Sequence, residues 1–595
     1  MKKRSIKSLF PKELWSRQTI FFGACLLFKF ILFDIIWALQ TTFTPFSSGE
    51  LYLNAMLAAL ILLLPYGCFR RGWLQLAVML ALDGLLIANL MYSRTYFSAI
   101  PLDSYGLAGN LSDFTASVYD SLRWGDLLFP LSTFVCIYLF LGRDKKIPLV
   151  YSKKGYLLTT GAVLLLSCGL NMTKGGFKAA YGSLQNANYH TCGVPMYTLF
   201  GHLYYNALQG KETYTPQIEQ AIKEWTASRP AYTPLPDSIP TRTNLVIILC
   251  ESLESWVLEQ TVEGKEITPC LNALLKSPST LYAPKVLTQV AGGRSIDCQL
   301  MLNAGMLPIR SGSYSMKYPN NTYFTLTKAL KEKYGARSYL LTVDKPIVWN
   351  QAAIAKSFGI DTLLSKSSWV LDEKTGSRKK LGDESFFRQS VEKLQRGELW
   401  KPDESVYLQC VTYSGHNPFI LPEKSKRISF SGDYPQRMKD YMVMANYTDH
   451  AIGHFIDYLK MRPDYDRTLI VITGDHEGLA ADRQALCQSP GGKDLVSDKQ
   501  FTPFIVINSP VGARYDKVMG QIDMYPTLLN LMKLDSYAWK GIGQSILDSG
   551  KPPFAIGSQM NIEGDTLNVS PDEMKHIRQA RDISDLMIRF NYLAR

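Results

Sequence analysis

Ile470-Val471-Ile472-Thr473-Gly474-Asp475-His476 decides how this chain folds. A run of β-branched apolar residues of this length suits a buried strand of a parallel sheet. The run stops at a glycine and delivers an anionic oxygen ligand beside an imidazole. That pair suits a divalent metal, although an isolated Asp-His pair is a weak signal.

Other strands end in the same way. Leu245–Leu249 runs through Cys250 into Glu251, and Ser338–Val343 runs into Asp344, with Trp349 shortly after. Val406–Val411 leads through Tyr413-Ser414-Gly415 to His416, and Phe504–Ile507 reads as a further strand. Helical patterns lie between them. Thr268-Pro269 opens one helix. Residues 438–460 form another, with Ala445, Ile452, Phe455, Ile456 and Leu459 at helical spacing. Alternating strands and helices indicate an α/β domain with a largely parallel sheet. Ligands bind such sheets beyond the carboxyl ends of the strands. Glu251, Asp344, His416, Asp475 and His476 are therefore expected at one edge. His450 and His454 lie on the 438–460 helix and read as helix surface or a single hydrogen bond.

The nucleophile is sought in Gly292-Gly293-Arg294-Ser295, where glycines give way to an apolar-periodic helix. Ser295 at a helix N-terminus would sit among free N–H groups that favour phosphate. Serine is also a common N-cap, and both uses can hold together. A metal beside Ser295 would lower its hydroxyl pKa. Glu251, Asp475 and His476 would complete a ligand set suited to Mn²⁺ or Zn²⁺. Arg294 is free to face either the site or solvent.

The chain has 595 residues and a formal net charge of +12. Its mean hydropathy of −0.04 averages two unlike parts. The first part is strongly apolar, with five expected membrane spans at about 19–41, 51–68, 73–92, 127–142 and 155–171. Lys2, Lys3, Arg4 and Lys7, then Arg70 and Arg71, then Arg143, Lys145, Lys146, Lys153 and Lys154 fall on one side of these spans. The positive-inside rule makes that side cytoplasmic and puts everything after about residue 172 outside. Part of the net charge is this anchor, so it argues poorly for nucleic-acid binding, and no nucleic-acid partner is expected. Lys29, Asp34 and Asp83 lie inside spans and are expected to pair with one another, orienting spans one and three; contact with a lipid headgroup is the rival reading. The ten cysteines are scattered without a CxxC pattern, and one outer disulfide is compatible with them. The expected divisions are a five-helix transmembrane domain at 1–172, a juxtamembrane connector at 173–240, a catalytic domain at 241–550 and a tail at 551–595 with a helix over 571–583.

Several short motifs occur in the order of one family. They are Cys250-Glu251-Ser252-Leu253-Glu254-Ser255-Trp256, Glu266-Ile267-Thr268-Pro269, Gly293-Arg294-Ser295, Val348-Trp349-Asn350, Ser414-Gly415-His416-Asn417-Pro418-Phe419, Gly474-Asp475-His476 and Ile522-Asp523-Met524-Tyr525-Pro526-Thr527. On these the chain resembles the lipoteichoic acid synthase-like phosphoglycerol transferases of the alkaline phosphatase/sulfatase superfamily. The resemblance implies an α-helical membrane domain followed by an extracytoplasmic α/β domain of alkaline phosphatase/sulfatase type, in a bacterial cytoplasmic membrane. It implies a metal site of Glu251, Ser295, Asp475 and His476, usually filled by manganese, with Zn²⁺ or Mg²⁺ as alternatives. Ser295 matches a nucleophile that is commonly threonine. His416 matches a histidine placed to protonate or orient the departing alcohol. Trp349 matches a pocket aromatic, and Arg294 and Asp344 are further candidate substrate contacts. The family pattern has arginine where this chain has Gln351, so relaxed headgroup choice is expected. The implied reaction moves a headgroup from a membrane phospholipid to a glycan or glycolipid acceptor through a phosphoseryl enzyme. A phosphoethanolamine transferase is the nearest rival. A sulfatase is a weaker one, because Ser295-Ile296-Asp297-Cys298-Gln299 lacks the Pro and Arg of its maturation motif. A scaffold with a degenerate site is a third, opposed by the intact Glu251, Ser295, His416, Asp475 and His476.

Overall fold

The computed structural model describes residues 17–40, 49–96, 100, 122–141, 153–173 and 213–595, except 311, 377–378 and 480–481. The basic clusters at 2–7 and 143–146, Cys192 and the connector over 174–212 lie outside the described residues. The chain divides into two compact units, Met1–Thr213 and Tyr214–Arg595.

The first unit is helical: Arg17–Gln40, Gly49–Leu62, Leu64–Gly67, Gly72–Tyr96, Leu128–Leu141 and Lys153–Thr173. Five spans were expected. Two stretches, Thr19–Trp37 and Gly72–Tyr92, are long and apolar enough to cross a membrane, while Trp124–Tyr138 and Gly155–Leu170 are apolar but shorter. The expected 51–68 segment is divided at Leu63, with Pro65 in the first turn of the next helix. Proline has no N–H to continue the ladder, and its ring crowds the turn before it. Lys29 is buried and pairs with Asp83, joining the first and third expected spans. Its Nζ also donates to Phe129 O at 2.7 Å, Ser132 Oγ at 2.6 Å and Thr133 Oγ1 at 2.9 Å. Asp34 is buried outside that pair.

The second unit is built on a nine-stranded sheet. Its strands are β1 Asn244–Cys250, β2 Leu281–Leu287, β3 Arg337–Thr342, β4 Thr362–Leu364, β5 Val406–Val411, β6 Thr468–Gly474, β7 Phe501–Ile507, β8 Ala513–Arg514 and β9 Met519–Gly520. Their spatial order is β8-β2-β7-β6-β1-β5-β3-β4, with β9 also on β2. From β6 to β4 the neighbours are parallel; β7 is antiparallel to both β6 and β2. Along β1, Leu245, Ile247 and Leu249 enter one core, and Val246, Ile248 and Cys250 enter the other. Burial on both faces is why these strands read as unbroken apolar runs. Helices Ser295–Ala304 and Met524–Leu531 cover the first face through Leu300, Met301, Leu528 and Leu529. Helix Gln436–Lys460 covers the second through Met442, Ile452, Phe455 and Ile456.

Both flanks of the expected catalytic segment join this unit. Helix Pro216–Ala227 starts at Thr215, whose Oγ1 accepts the Ile218 N–H. Its Trp225 stacks on His576 with ring centres 4.3 Å apart and donates Nε1–H to His576 O at 2.9 Å. Helix Pro571–Arg589 extends past the expected 583 and sends Ile583, Met587 and Ile588 into the first core. The cysteines among the described residues are all free.

Candidate active site

The register of β1 against β6 pairs Cys250 with Gly474, so Glu251 and Asp475 leave the sheet side by side. Close approach there requires glycine: a Cβ on Gly474 would lie 1.9 Å from Leu253 O, and one on Gly415 would lie 2.1 Å from Glu251 O. Ser295 is the first residue of its helix, and the turn before it puts Arg294 at φ 50°, ψ −118°. A non-glycine residue held there stores strain of a kind that gathers at functional sites.

Four donor groups converge. His476 Nε2 lies 3.3 Å from Ser295 Oγ, 3.5 Å from Glu251 Oε1 and 3.5 Å from Asp475 Oδ2. Asp475 Oδ1 accepts the N–H groups of Ser252 at 2.7 Å and His476 at 2.8 Å. Its Oδ2 is buried with no hydrogen-bond partner. Such an orphan carboxylate oxygen costs free energy unless a cation completes it. Burial, with Asp475 alongside, pushes the Glu251 carboxyl well above the usual carboxylate range. Burial, then the Arg294 guanidinium, holds His476 below the ordinary imidazole value. A neutral imidazole has a lone pair to give, and its Nδ1 lies 3.0 Å from Glu477 O. Donation of Nδ1–H to that carbonyl would turn the Nε2 lone pair toward Ser295 and the carboxylates. Two carboxylates, an imidazole and a hydroxyl fit Mn²⁺, Zn²⁺ or a similar divalent ion.

Arg294 turns inward. Its Nη1 donates to Glu477 Oε1 at 2.5 Å, and Nη2 lies 3.2 Å from Glu477 O and 3.1 Å from His476 Nδ1. Glu477 is held below the usual carboxylate range, since the Arg294 guanidinium prevails over the opposing effect of burial. Arg294 thus braces the imidazole through Glu477. Gln351, expected in the substrate pocket, is buried instead. Asn350 has left-handed φ/ψ as the N-cap of Gln351–Phe358. The Gln351 amide then pairs reciprocally with Gln299, on the helix of Ser295, with both contacts at 3.2 Å.

Asp344 is ion-paired to Lys380. Lys380 Nζ sits 4.2 Å from the centre of the Tyr413 ring, and Tyr413 stacks on His416 at 5.5 Å. His416 Nδ1 faces Asn417 O at 2.7 Å, and Trp349 is half-buried against the first core. Asp344 and His416 therefore share one rim of the sheet edge, and the charge of Lys380 on that rim acts on Glu251. Away from this edge, Cys270, Asp449 and His450 bring three donor atoms within 4.8 Å of one another. Both Asp449 oxygens already accept N–H groups, from Leu271 at 2.7 Å and Cys270 at 2.9 Å.

Sequence reasoning missed four contributors. Glu477 directly follows the Asp-His pair and was visible beside it. Asp297 accepts the N–H groups of Ala291 and Gly293, both at 2.9 Å, and so shapes the turn before Ser295; its position two residues into the helix was the signal. Gln521 donates to Asp475 O at 2.8 Å, and Lys380 comes from a small hairpin. Neither has a local sequence signal.

Residues 243–534 match the Sulfatase family, and residues 1–212 match the lipoteichoic acid synthase N-terminal domain. The lipoteichoic acid synthase of Staphylococcus aureus is 24% identical over 555 residues, covering 88% of this chain and 84% of its own length. Among solved structures, the lipoteichoic acid synthase LtaP of Listeria monocytogenes superposes with a TM-score of 0.50 at 17% identity, covering 62% of this chain and 98% of that one. With matches to both halves in this order, the chain belongs to the lipoteichoic acid synthase-like family of the alkaline phosphatase/sulfatase superfamily.

Proposed function

We propose that the protein is a membrane-anchored, metal-dependent transferase. It moves a phosphoglycerol-type headgroup from a membrane phospholipid to an envelope glycan or glycolipid. The observation that carries this reading is the convergence of Ser295 Oγ, Glu251, Asp475 and the Nε2 of His476, with Asp475 Oδ2 buried and unpartnered. Glu251, Ser295, Asp475 and His476 would hold the ion. When bound, a divalent ion lowers the hydroxyl pKa of the nucleophile and offsets charge that develops on phosphate oxygens.

The residues set the rest of the chemistry. Ser295 Oγ attacks phosphorus, and the bond from phosphorus to the diacylglycerol oxygen breaks. The Ser295 N–H, at the first position of its helix, steadies an equatorial phosphate oxygen, since the N–H groups of Ile296 and Asp297 are taken by Gly293 O and Arg294 O. His416, on the rim, gives a proton to the departing alkoxide. The headgroup phosphate is then an ester of Ser295. An acceptor hydroxyl attacks it, its proton returns to the rim, and Ser295 is regenerated. Trp349 and Asp344 contact the headgroup, and Lys380 supplies the cation that the family pattern places at position 351.

The lipid donor explains the membrane unit. Leu131, Phe134, Leu158, Leu165 and Leu166 stand exposed on its helices, while Lys29 and Asp83 are buried. That inside-out distribution suits a hydrocarbon solvent. We place this unit as five spans in a bacterial cytoplasmic membrane, with the second unit outside the cytoplasm.

The test is lipid turnover in membranes containing labelled phosphatidylglycerol, labelled phosphatidylethanolamine and Mn²⁺. Diacylglycerol release from phosphatidylglycerol, with label on Ser295 and loss of both in Ser295→Ala, is expected. Release from phosphatidylethanolamine alone would reassign the headgroup, and release from neither would remove the transferase reading.

A further inference from the structure

We propose that the cavity between the connector helix Pro216–Ala227 and the C-terminal helix Pro571–Arg589 is a second ligand site, which takes a glycerol phosphate group. The cavity is about 330 Å³, and none of Glu251, Ser295, Asp475 and His476 lines it. That volume holds one phosphate with a small polyol and excludes a whole lipid.

The charges on its wall are unbalanced. Lys551 is answered by Asp523 at 3.2 Å. Arg229, Lys540 and Arg581 are not answered in that way. Arg229 donates to Gly541 O, Lys540 to Asp535 O and Tyr537 O, and Arg581 to Ser558 O. Among the described residues no carboxylate lies within ion-pair distance of these three. Aromatic rings hold two of the heads in place: Arg229 lies over Trp539 at 5.2 Å and Lys540 over Tyr232 at 4.9 Å. Burial holds both below their ordinary pKa values. Carboxylates act on two of the three cations only from beyond ion-pair distance, Asp297 and Asp585 on Arg581 and Asp535 on Lys540, and none acts on Arg229. Cations withdrawn from water with so little direct compensation are costly, and a phosphate would recover that cost through charge-assisted hydrogen bonds. Arg578 adds a further cation to the lining and Asp548 and Glu573 two carboxylates, so the excess of positive charge is small. It suits a singly or doubly charged phosphate rather than a polyanion. Trp225 and Tyr232 add apolar faces of the kind a polyol carbon chain packs against.

The cavity also adjoins the catalytic edge. Gln289 lines it, and the Gln289 N–H donates at 2.8 Å to Oε1 of Gln521, whose Nε2 donates to Asp475 O. The choice of glycerol as the polyol rests on the proposed function; the anion site does not.

The experiment is calorimetric titration of the full chain in detergent with sn-glycerol 1-phosphate, repeated after EDTA treatment and in Ser295→Ala. A parallel arm uses nanodiscs with and without phosphatidylglycerol, to separate a free ester from a lipid headgroup as the source. One binding event is expected to survive metal removal and the Ser295 change. It should weaken at least tenfold in Lys540→Gln and in Arg578→Glu, the latter an exposed residue on the cavity lining. Binding that disappears with the metal, or that is equal in both variants, overturns the proposal. Metal-free binding without lipid turnover would sink the proposed function and leave this site standing; turnover without metal-free binding would do the reverse.

Discussion

Two residues carry consequences that their neighbours do not share. Lys380 stands between Asp344 and the Tyr413 ring, and its charge reaches Glu251. If it grips the transferred phosphate, Lys380→Gln should lower kcat/KM by about 10–100-fold, or about 1.4–2.8 kcal/mol of transition-state stabilisation. Metal content should not change. Steady-state diacylglycerol release with metal analysis of the same sample checks both, and a fall in bound metal would assign Lys380 a structural role instead. Gln351 shows where a motif comparison misleads. The aligned position looked like a pocket residue, but the left-handed Asn350 turns its amide onto Gln299. Gln351→Leu should therefore leave donor preference alone and cost about 1–3 kcal/mol, because the buried Gln299 amide loses its partner. Thermal denaturation of the full chain, with a Gln299→Leu/Gln351→Leu pair recovering part of the loss, is the check. A shifted donor preference would return Gln351 to the pocket.

Elements were legible in proportion to how local their signal is. Strands β1, β5 and β6 announced themselves as apolar runs, because both faces are buried, and the polar residue after each run marked the site. Strand β2 carries Pro284 and Lys285 in its middle and sits near the antiparallel edge, so nothing in its own residues called for a strand. The Lys374–Leu381 hairpin that delivers Lys380 has two-residue strands, too short for any periodicity. One element interaction is open to titration. Asp449, on helix Gln436–Lys460, caps the start of helix Pro269–Leu275. Burial raises its carboxyl to about 6, despite those hydrogen bonds. An unfolded aspartate titrates near 3.9, so the folded state holds its proton more tightly. The stabilisation is complete below about pH 4 and is lost as pH rises through about 6; ionising the group costs up to about 3 kcal/mol. Tm measured from pH 4 to 7 should fall more steeply for wild type than for Asp449→Asn. Parallel curves would refute the raised carboxyl.

At the scale of the molecule, the sequence divided the part after about residue 172 by composition, while packing divides the chain once, at Thr213. Connector and tail look unremarkable as strings because their partner surfaces lie far away along the chain: Trp225 meets His576, and Ile588 meets the core of the sheet. A fragment of residues 241–550 should thus expose that core and aggregate, whereas 214–595 should run as a monodisperse, cooperatively melting species. Size-exclusion chromatography with circular dichroism decides, and a well-behaved 241–550 fragment would show that both helices are accessories.

The pairing of β1 with β6 also sets a timetable. Asn244 bonds Thr468, 224 positions later in the chain. At synthesis rates of about 5–20 residues per second, the central strand waits roughly 10–45 s for its neighbour. During that wait an uninterrupted apolar ribbon with free edges is exposed, the kind of segment that self-associates. Because the strand cannot be completed early, the yield of folded enzyme depends on whatever shields residues 244–250 during synthesis, and slowing elongation would deplete the protein before it altered any step of the reaction.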